Sequence, residues 1–487
     1  MKKIINTHEE ELEENVDYFE GIAFHPSLDI KNGILVLGFR IKPKIDKEEN
    51  IILVITQKGE VQKIKGDSFD FEGKKYHIEL KDKKLAKLSQ KWSLKDFNAT
   101  YNALSSDWKP LVKPNEVFTK LKELLKNYID LPDSDYTLLS TWILGSYFFP
   151  IFSAYSYLHI KAPKGSGKTQ CLSFINQTSF NAVKALATLP AMRDTVNSLR
   201  GTFLVDQADN LKHPNNKEFL NILTDSYKRG CGDQRKMVSD KGKNWIVQEF
   251  QTYGPKAFAS IYSLPEDLRD RSLLIALTKS KKNFQPLDEE NSIWKEMRGD
   301  LYKLLISVFW DVSALYELRG AEYRQNPTLF GRQLELWLPF EVIMTVVGVL
   351  KDEQELIKTK FNAQYGYTES QANELEKSII ETLLHEIGNK TELILSPKEI
   401  ADKISTEIFE SKDGYVSEKQ KSAQVGKKIN KFNLSTKKLP RNKNGERYLF
   451  TREQVQKVFD GYVADKNPDE HTPIVTEQKR FENLGVF

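Results

Sequence analysis

One stretch limits what this chain can fold into more than any other: His159-Ile160-Lys161-Ala162-Pro163-Lys164-Gly165-Ser166-Gly167-Lys168-Thr169. It reads as a short buried strand (Tyr157 to Ile160), a tight glycine loop, and a helix running from Thr169 through Phe174. A loop of this kind turns successive backbone N–H groups inward and cradles phosphate oxygens at a helix N-terminus, where the dipole also favours negative charge. The usual pattern is G-x-x-x-x-G-K-[ST]; here Ala162 stands at the first glycine, one small residue for another. On this reading Pro163, Lys164, Gly165, Ser166, Gly167, Lys168, Thr169 and Gln170 form a nucleotide cradle for ATP. Lys168 reaches the β- and γ-phosphates, and the Thr169 hydroxyl holds Mg²⁺. A Gly/Ser/Lys surface turn has a similar composition, but the strand, loop and helix here occur in the order a phosphate site requires.

Composition sets the boundaries. At 487 residues, with 39% hydrophobic and 29% charged, the chain has ample material for a core and for about two to four domains. The net charge is only +4, so any nucleic-acid affinity must come from local patches. The two cysteines, Cys171 and Cys231, give no disulfide framework and no Cys-rich zinc site, which fits a reducing cytosol. Met1-Lys2-Lys3 leads into an acidic run with no apolar signal core, so the expected location is cytoplasmic. From Thr137 to Leu158 there is no charged residue over 22 positions, a length able to cross a bilayer. Gly145, Pro150 and the interspersed Ser, Thr and Tyr residues fit a core helix followed by a buried strand better, so no membrane is expected as a partner.

Residues 1–95 read as a β-rich domain, with Ile34 to Phe39 and Ile51 to Ile55 as β-branched runs between turn residues. No catalytic constellation stands out there, and a recruitment or oligomerisation module is the expectation. Residues 96–137 read as a linker, between Trp92 and Pro114, followed by a helix with Val117, Leu121, Leu124, Leu125 and Tyr128 on one face. Residues 138–290 hold the phosphate loop and then Gly201 to Asp209, a buried parallel strand ending in Asp206. At the strand's C-terminal tip, Asp206 is placed to bind Mg²⁺ through water. Val238 to Val247 reads as a β-hairpin with Lys241-Gly242-Lys243 at its tip. Tyr253 to Ser260 and Leu273 to Leu277 are further strands, and residues 291–371 are helical.

Together these pieces resemble an AAA+ ATPase, and more narrowly the MCM-like helicases carried by bacterial mobile genetic elements. The resemblance covers roughly residues 138–345, and its most specific part is Tyr253-Gly254-Pro255-Lys256-Ala257-Phe258-Ala259-Ser260 with Leu264-Pro265-Glu266-Asp267-Leu268-Arg269-Asp270-Arg271-Ser272. It implies that Ser260 sits near the sensor-1 position and that Arg271 is an arginine finger reaching a neighbouring subunit's γ-phosphate, with Arg269 the alternative. It also implies that Arg332 is the sensor-2 arginine at the start of a lid helix, and that Lys241 and Lys243 grip DNA in a central channel. An arginine supplied in trans requires a ring, so a homo-oligomer, a hexamer, is expected. One departure is Gln207, where the family usually places the glutamate that polarises water. A glutamine orients water but cannot accept its proton, so slow hydrolysis is expected unless Asp209 partly substitutes.

Residues 372–463 change to short amphipathic helices. Ser396-Pro397-Lys398-Glu399 is a capping box, a second helix spans Ser422 to Phe432, and Thr436 to Phe450 reads as a β-wing around Asn444-Gly445. This is the order of a winged helix. Between Ser417 and Phe450 ten Lys/Arg face two Glu, a local balance of +8. Lys427, Lys428, Lys431, Lys437, Lys438, Arg441 and Lys443 are therefore candidates for contacts to the DNA backbone. Residues 464–487 read as a tail. The function expected is ATP-dependent DNA unwinding by a homo-hexameric ring. The alternative is a nucleotide-gated DNA-binding scaffold or loader, with a replication partner on the N-terminal domain.

Overall fold

The computed structural model describes residues 23–44, 47–78, 92–106, 109–240, 244–280, 282, 284–409, 416–431, 434–442, 445–456 and 458. The chain divides into two compact units, residues 1–364 and 365–487.

The first unit opens with seven strands: β1 (Ala23–Phe24), β2 (Leu28–Lys31), β3 (Ile34–Lys44), β4 (Lys47–Thr56), β5 (Val61–Ile64), β6 (Ser68–Phe71) and β7 (Lys74–Ile78). They form a four-stranded antiparallel meander, β2-β3-β4-β5, and a three-stranded sheet, β1-β7-β6. The run Ile34 to Phe39 is apolar without alternation because both faces of β3 are covered. Ile34 and Val36 join a core with Phe24, Phe69 and Tyr76, while Phe39 packs on Trp92 (4.7 Å between ring centroids), Phe97 (5.5 Å) and Tyr302 (5.2 Å). The stretch expected to be a linker is a helix, Leu94–Ser106, with Phe97, Thr100 and Leu104 buried. The apolar spacing needed for it is present in the sequence; what holds the helix is the aromatic cluster with Phe39 and Tyr302, residues distant in the chain.

Two helices, Pro114–Lys126 and Asp133–Phe148, lead into the central sheet. From Asp135 to Phe148 every residue of the second is buried, the expected fate of a helix apolar on all sides. Among the described residues no helix is long and apolar enough to cross a membrane. The central sheet comprises β8 (Tyr157–Lys161), β9 (Val183–Ala185), β10 (Phe203–Val205), β13 (Lys256–Ser260) and β14 (Ser272–Ala276). Its order is β14-β8-β13-β10-β9 and every pairing is parallel. Between β10 and β13 the hairpin β11 (Gln234–Asp240) and β12 (Asn244–Phe250) forms its own two-stranded sheet, longer at its base than expected. Lys241 and Lys243 lie outside the described residues. The helix Ser292–Gln325 follows β14, with Trp294 against Phe174 (5.6 Å) and Arg298 donating to the Gln177 carbonyl (3.0 Å). The helices Gly331–Val346 and Lys351–Ile387 complete the helical region.

In the second unit, β15 (Glu392–Leu395), β16 (Lys437–Asn442) and β17 (Gly445–Thr451) form an antiparallel sheet in the order β15-β17-β16. The helices Pro397–Ala401 and Glu418–Lys431 share its core through Ile400, Val425, Ile429, Tyr448 and Phe450. The Ser396–Glu399 capping box is present in both directions. Strand β15 had no sequence expectation: its four residues alternate only weakly in burial and depend on β17 for their hydrogen bonds. Lys443, Asn444 and residues 464–487 lie outside the described residues.

Candidate active site

Ligands of parallel α/β sheets bind beyond the carboxyl ends of the strands, where the strand order reverses. Here that point is the exit of β8. Chain 162–167 turns there into the helix Lys168–Thr178, which runs four residues past the expected end at Phe174, with Cys171, Leu172, Phe174 and Ile175 buried. Gly165 (φ 77°) and Gly167 (φ 80°) hold left-handed backbone conformations that favour glycine. No other atom lies within 4 Å of where a Cβ would stand on either. Ala162 is buried and donates its N–H to the Ser260 carbonyl (3.1 Å), so a small residue suffices at the pattern's first position. The Ser166 Oγ is buried and has no hydrogen-bond partner. A polar atom enclosed and unpaired inside an open glycine cradle fits a phosphate oxygen. Lys168 forms no ion pair among the described residues.

Two candidate metal-holding oxygens meet across this cradle: the Thr169 hydroxyl donates to Asp206 Oδ2 at 3.4 Å. Asp206 lies directly after β10, and its Oδ1 accepts the Gln207 N–H at 3.0 Å. Gln207 is exposed with φ 58°, a left-handed conformation uncommon outside glycine and asparagine. Gln170 is turned away from the cradle, donating to the Tyr128 carbonyl (2.8 Å) and the Gln285 carbonyl (3.3 Å).

Ser260 ends β13, between the phosphate-loop strand and the carboxylate strand. It is buried, donates to the Tyr262 carbonyl (2.6 Å), and pairs with His159 Nε2 at 2.7 Å. Because the hydroxyl proton goes to Tyr262, His159 Nε2 is the donor in that pair. Burial, reinforced by the nearby Lys161 charge, pulls the His159 pKa down to about 4, so the ring is neutral. The hydroxyl of Ser260 thus serves the turn that follows it rather than the open cradle. Asp209 is engaged there too: its oxygens accept the N–H of Ile261 (3.0 and 3.1 Å) and of Tyr262 (2.9 Å). With its oxygens committed to the Ile261 and Tyr262 N–H groups, the Asp209 carboxylate is held in this turn, which argues against its standing in for a glutamate at position 207. Sequence reasoning overlooked His159 because a lone histidine in an apolar strand gives no signal of its partner on the next strand.

The arginines are elsewhere. The Arg271 carbonyl accepts the N–H of Tyr157, the first residue of β8, so Arg271 lies at the amino edge of the sheet. The five residues of β8 separate the two edges, a span of about 13 Å at some 3.3 Å per residue. The Arg271 guanidinium rests on the Tyr227 ring (5.3 Å), donates to the Asp267 carbonyl, and leaves its Nε without a partner. Burial and the neighbouring Arg332 charge both lower its pKa. Arg332, in the first turn of Gly331–Val346, stands over the same ring (6.0 Å) and 3.9 Å from Asp270. Burial raises the Asp270 carboxyl above its usual range. Arg271 and Arg332 therefore share one aromatic platform at the edge opposite their own phosphate loop. The Arg269 Nε is likewise buried and unpaired.

In the second unit, Lys427, Lys437 and Arg441 are exposed. Two of the expected DNA contacts are engaged within the chain: Lys428 pairs with buried Glu376 at 2.6 Å, and Lys438 with Glu446 at 2.8 Å. Lys431 lies in the last turn of its helix. Counting charge from Ser417 to Phe450 leaves out Glu376, which folds back onto the segment, and does not show that Glu446 pairs with Lys438. No group of three or more His, Cys, Asp or Glu side chains able to hold a metal occurs among the described residues.

The fold is mixed α/β, with a parallel sheet and a glycine loop at its carboxyl edge. No family model matches the chain, and no curated protein does. Among solved structures it is similar to the apo A form of the NrS-1 C-terminal region, at 10% identity, covering 85% of this chain and 96% of that one, with a TM-score of 0.32. It is also similar to JCV helicase, solved with a bound thiazolopyridine compound, at 14% identity over 53% of this chain and 79% of that one, with a TM-score of 0.20. Likenesses of this extent carry no argument about activity.

Proposed function

We propose that the chain is an ATP-dependent, DNA-translocating helicase of the MCM-like AAA+ type, working as a homo-hexameric ring. The observation that carries the reading is the separation of the phosphate cradle from the arginine pair by the full height of one sheet. A site split in this way is completed only by a second copy, and head-to-tail contacts that close make a ring. In such a ring Lys168, the unpaired Ser166 hydroxyl and the loop N–H groups hold the phosphates of ATP, and Thr169 and Asp206 hold Mg²⁺. The bound metal supplies neutralisation of phosphate charge. Arg271 and Arg332 of the adjoining copy face the γ-phosphate, and Gln207 orients water without taking its proton. The hairpin β11–β12 reaches DNA in the channel. The second unit is a winged helix whose Lys427, Lys437 and Arg441 touch duplex phosphates, and the β-rich N-terminal strands receive a replication partner.

Unwinding of forked DNA, with the oligomeric state read in the same sample, tests this. Strand separation that needs ATP and disappears in Lys168→Ala is expected; a protein that stays monomeric with nucleotide and DNA in excess ends the reading. A second reading is favoured by Gln207: a nucleotide-gated DNA-binding scaffold or loader that assembles with ATP and turns it over slowly. It predicts rings on DNA without unwinding.

A further inference from the structure

The ends of β8 and β13 and the short helix after β10, Ala208–Lys212, converge on one turn, Ile261-Tyr262-Ser263. Ser260 holds the Tyr262 carbonyl (2.6 Å), Asp209 holds the Ile261 and Tyr262 N–H groups (2.9–3.1 Å), and Lys161 Nζ donates to Ser263 Oγ (3.1 Å). A turn anchored at this many points is rigid, yet the ring it presents is 68% exposed. A large aromatic side chain carried in water on a backbone tied at several points has the character of a contact anchor: it presents apolar area without having to order the chain that bears it.

The opposite edge carries a matching feature. Phe330 is 51% exposed and directly precedes Gly331, whose φ of 51° turns the chain into the helix that bears Arg332. Phe330 is therefore tied in position to the arginine pair, as Tyr262 is tied to the phosphate cradle. The unpaired buried Nε atoms of Arg269 and Arg271 mark this edge as incomplete in a single copy. If the two edges meet, these are the two aromatic rings among the exposed large apolar side chains of the described residues, and each lies beside the polar groups that must be brought into register.

We propose that Tyr262 of one copy packs against Phe330 of the next, and that this aromatic contact seats the arginine pair over the neighbouring phosphate cradle. The contact rests on the ring reading above and names the residues that join its subunits. Only one background substitution is needed for a cross-linking test: Cys231 is exposed and is replaced by serine, while Cys171 is buried, and burial pushes its thiol up to about 12. Full-length Tyr262→Cys protein is mixed with full-length Phe330→Cys protein and treated with a short bis-maleimide, with or without a non-hydrolysable ATP analogue. The expected product is a heterodimer that forms with the analogue, with no dimer from either variant alone. Sedimentation of the Tyr262→Ser and Phe330→Ser proteins should show the assembly midpoint moved roughly tenfold higher in concentration, with fluorescent-nucleotide binding retained. Assembly without the mixed cross-link, or with an unmoved midpoint in both serine variants, overturns the contact and leaves the ring standing. A wild-type chain that never assembles overturns both.

Discussion

The two edges of the central sheet are built in opposite ways. At the carboxyl edge the backbone does most of the work: left-handed glycines, amide groups held by Asp209, and a cradle lined by N–H groups and one unpaired hydroxyl. At the amino edge the side chains do it, with two guanidinium groups on the Tyr227 ring and Lys256 buried beneath. Lys256 donates to the carbonyls of Thr252 (2.7 Å), Gly254 (3.1 Å) and Ser226 (3.3 Å), binding both flanks of the hairpin to the sheet. The first edge is a receptor for negative charge and the second a source of positive charge. Within one copy the length of β8 lies between them.

The largest expected effect tests that separation directly. Arg271→Ala should lower ATP turnover by about 10³-fold or more while single copies still bind nucleotide. Lys168→Ala should abolish binding itself. Mixing the two dead proteins in equal amounts should restore about a quarter of the sites in a head-to-tail ring, because some interfaces then pair an intact lysine with an intact arginine. Steady-state hydrolysis of the mixture is the measurement, and no recovery would place both edges in one copy. Next in size, Gln207→Glu supplies a proton acceptor beside the water and should raise turnover about a hundredfold. Equal rates would show that position 207 does not limit hydrolysis.

Acid stability sharpens the contrast further. The folded His159 pKa of about 4 lies below its ordinary 6.5, so between those values the unfolded chain binds the extra proton. Stability is then full above pH 6.5 and falls as the pH drops through this window, with a limiting slope of roughly 1.4 kcal/mol per pH unit from this group. Urea midpoints at pH 4 to 7 should show the slope, and His159→Gln, which keeps a donor for Ser260, should flatten it. Lys256 has its own window: burial lowers its pKa from 10.5 to about 7, so its contribution to stability rises with pH between those values. The smallest effect lies in the second unit. Lys427→Ala should reduce the salt dependence of DNA binding by about one counterion, whereas Lys428→Ala, which strips buried Glu376 of its partner, should lower the melting temperature of the unit instead.

The strand, glycine turn and helix at the carboxyl edge were legible in the sequence, because such a turn is a local device: Gly165, Gly167, Lys168 and Thr169 lie within five residues. Asp206 was legible as the tip of an apolar run. What the sequence did not disclose was everything decided by pairing between strands. The His159–Ser260 bond joins residues 101 positions apart, and the shared Tyr227 platform joins Arg271 to Arg332 through a third segment. The Leu94–Ser106 helix escaped for the same reason, since the rings that bury its apolar face come from β3 and the Ser292–Gln325 helix.

The left-handed backbone at Gln207 has a bearing on how this site can be remodelled. A β-branched side chain there is sterically penalised, while glycine and asparagine are admitted at little cost. Saturation mutagenesis of this codon would therefore return a narrow, skewed set of survivors even before catalysis is screened. A glutamate recruited there as a base keeps the conformational penalty that Gln207 already carries, whereas the shorter aspartate sits in this region more readily, so a second change that relaxes the turn is the natural companion to glutamate in a directed-evolution campaign.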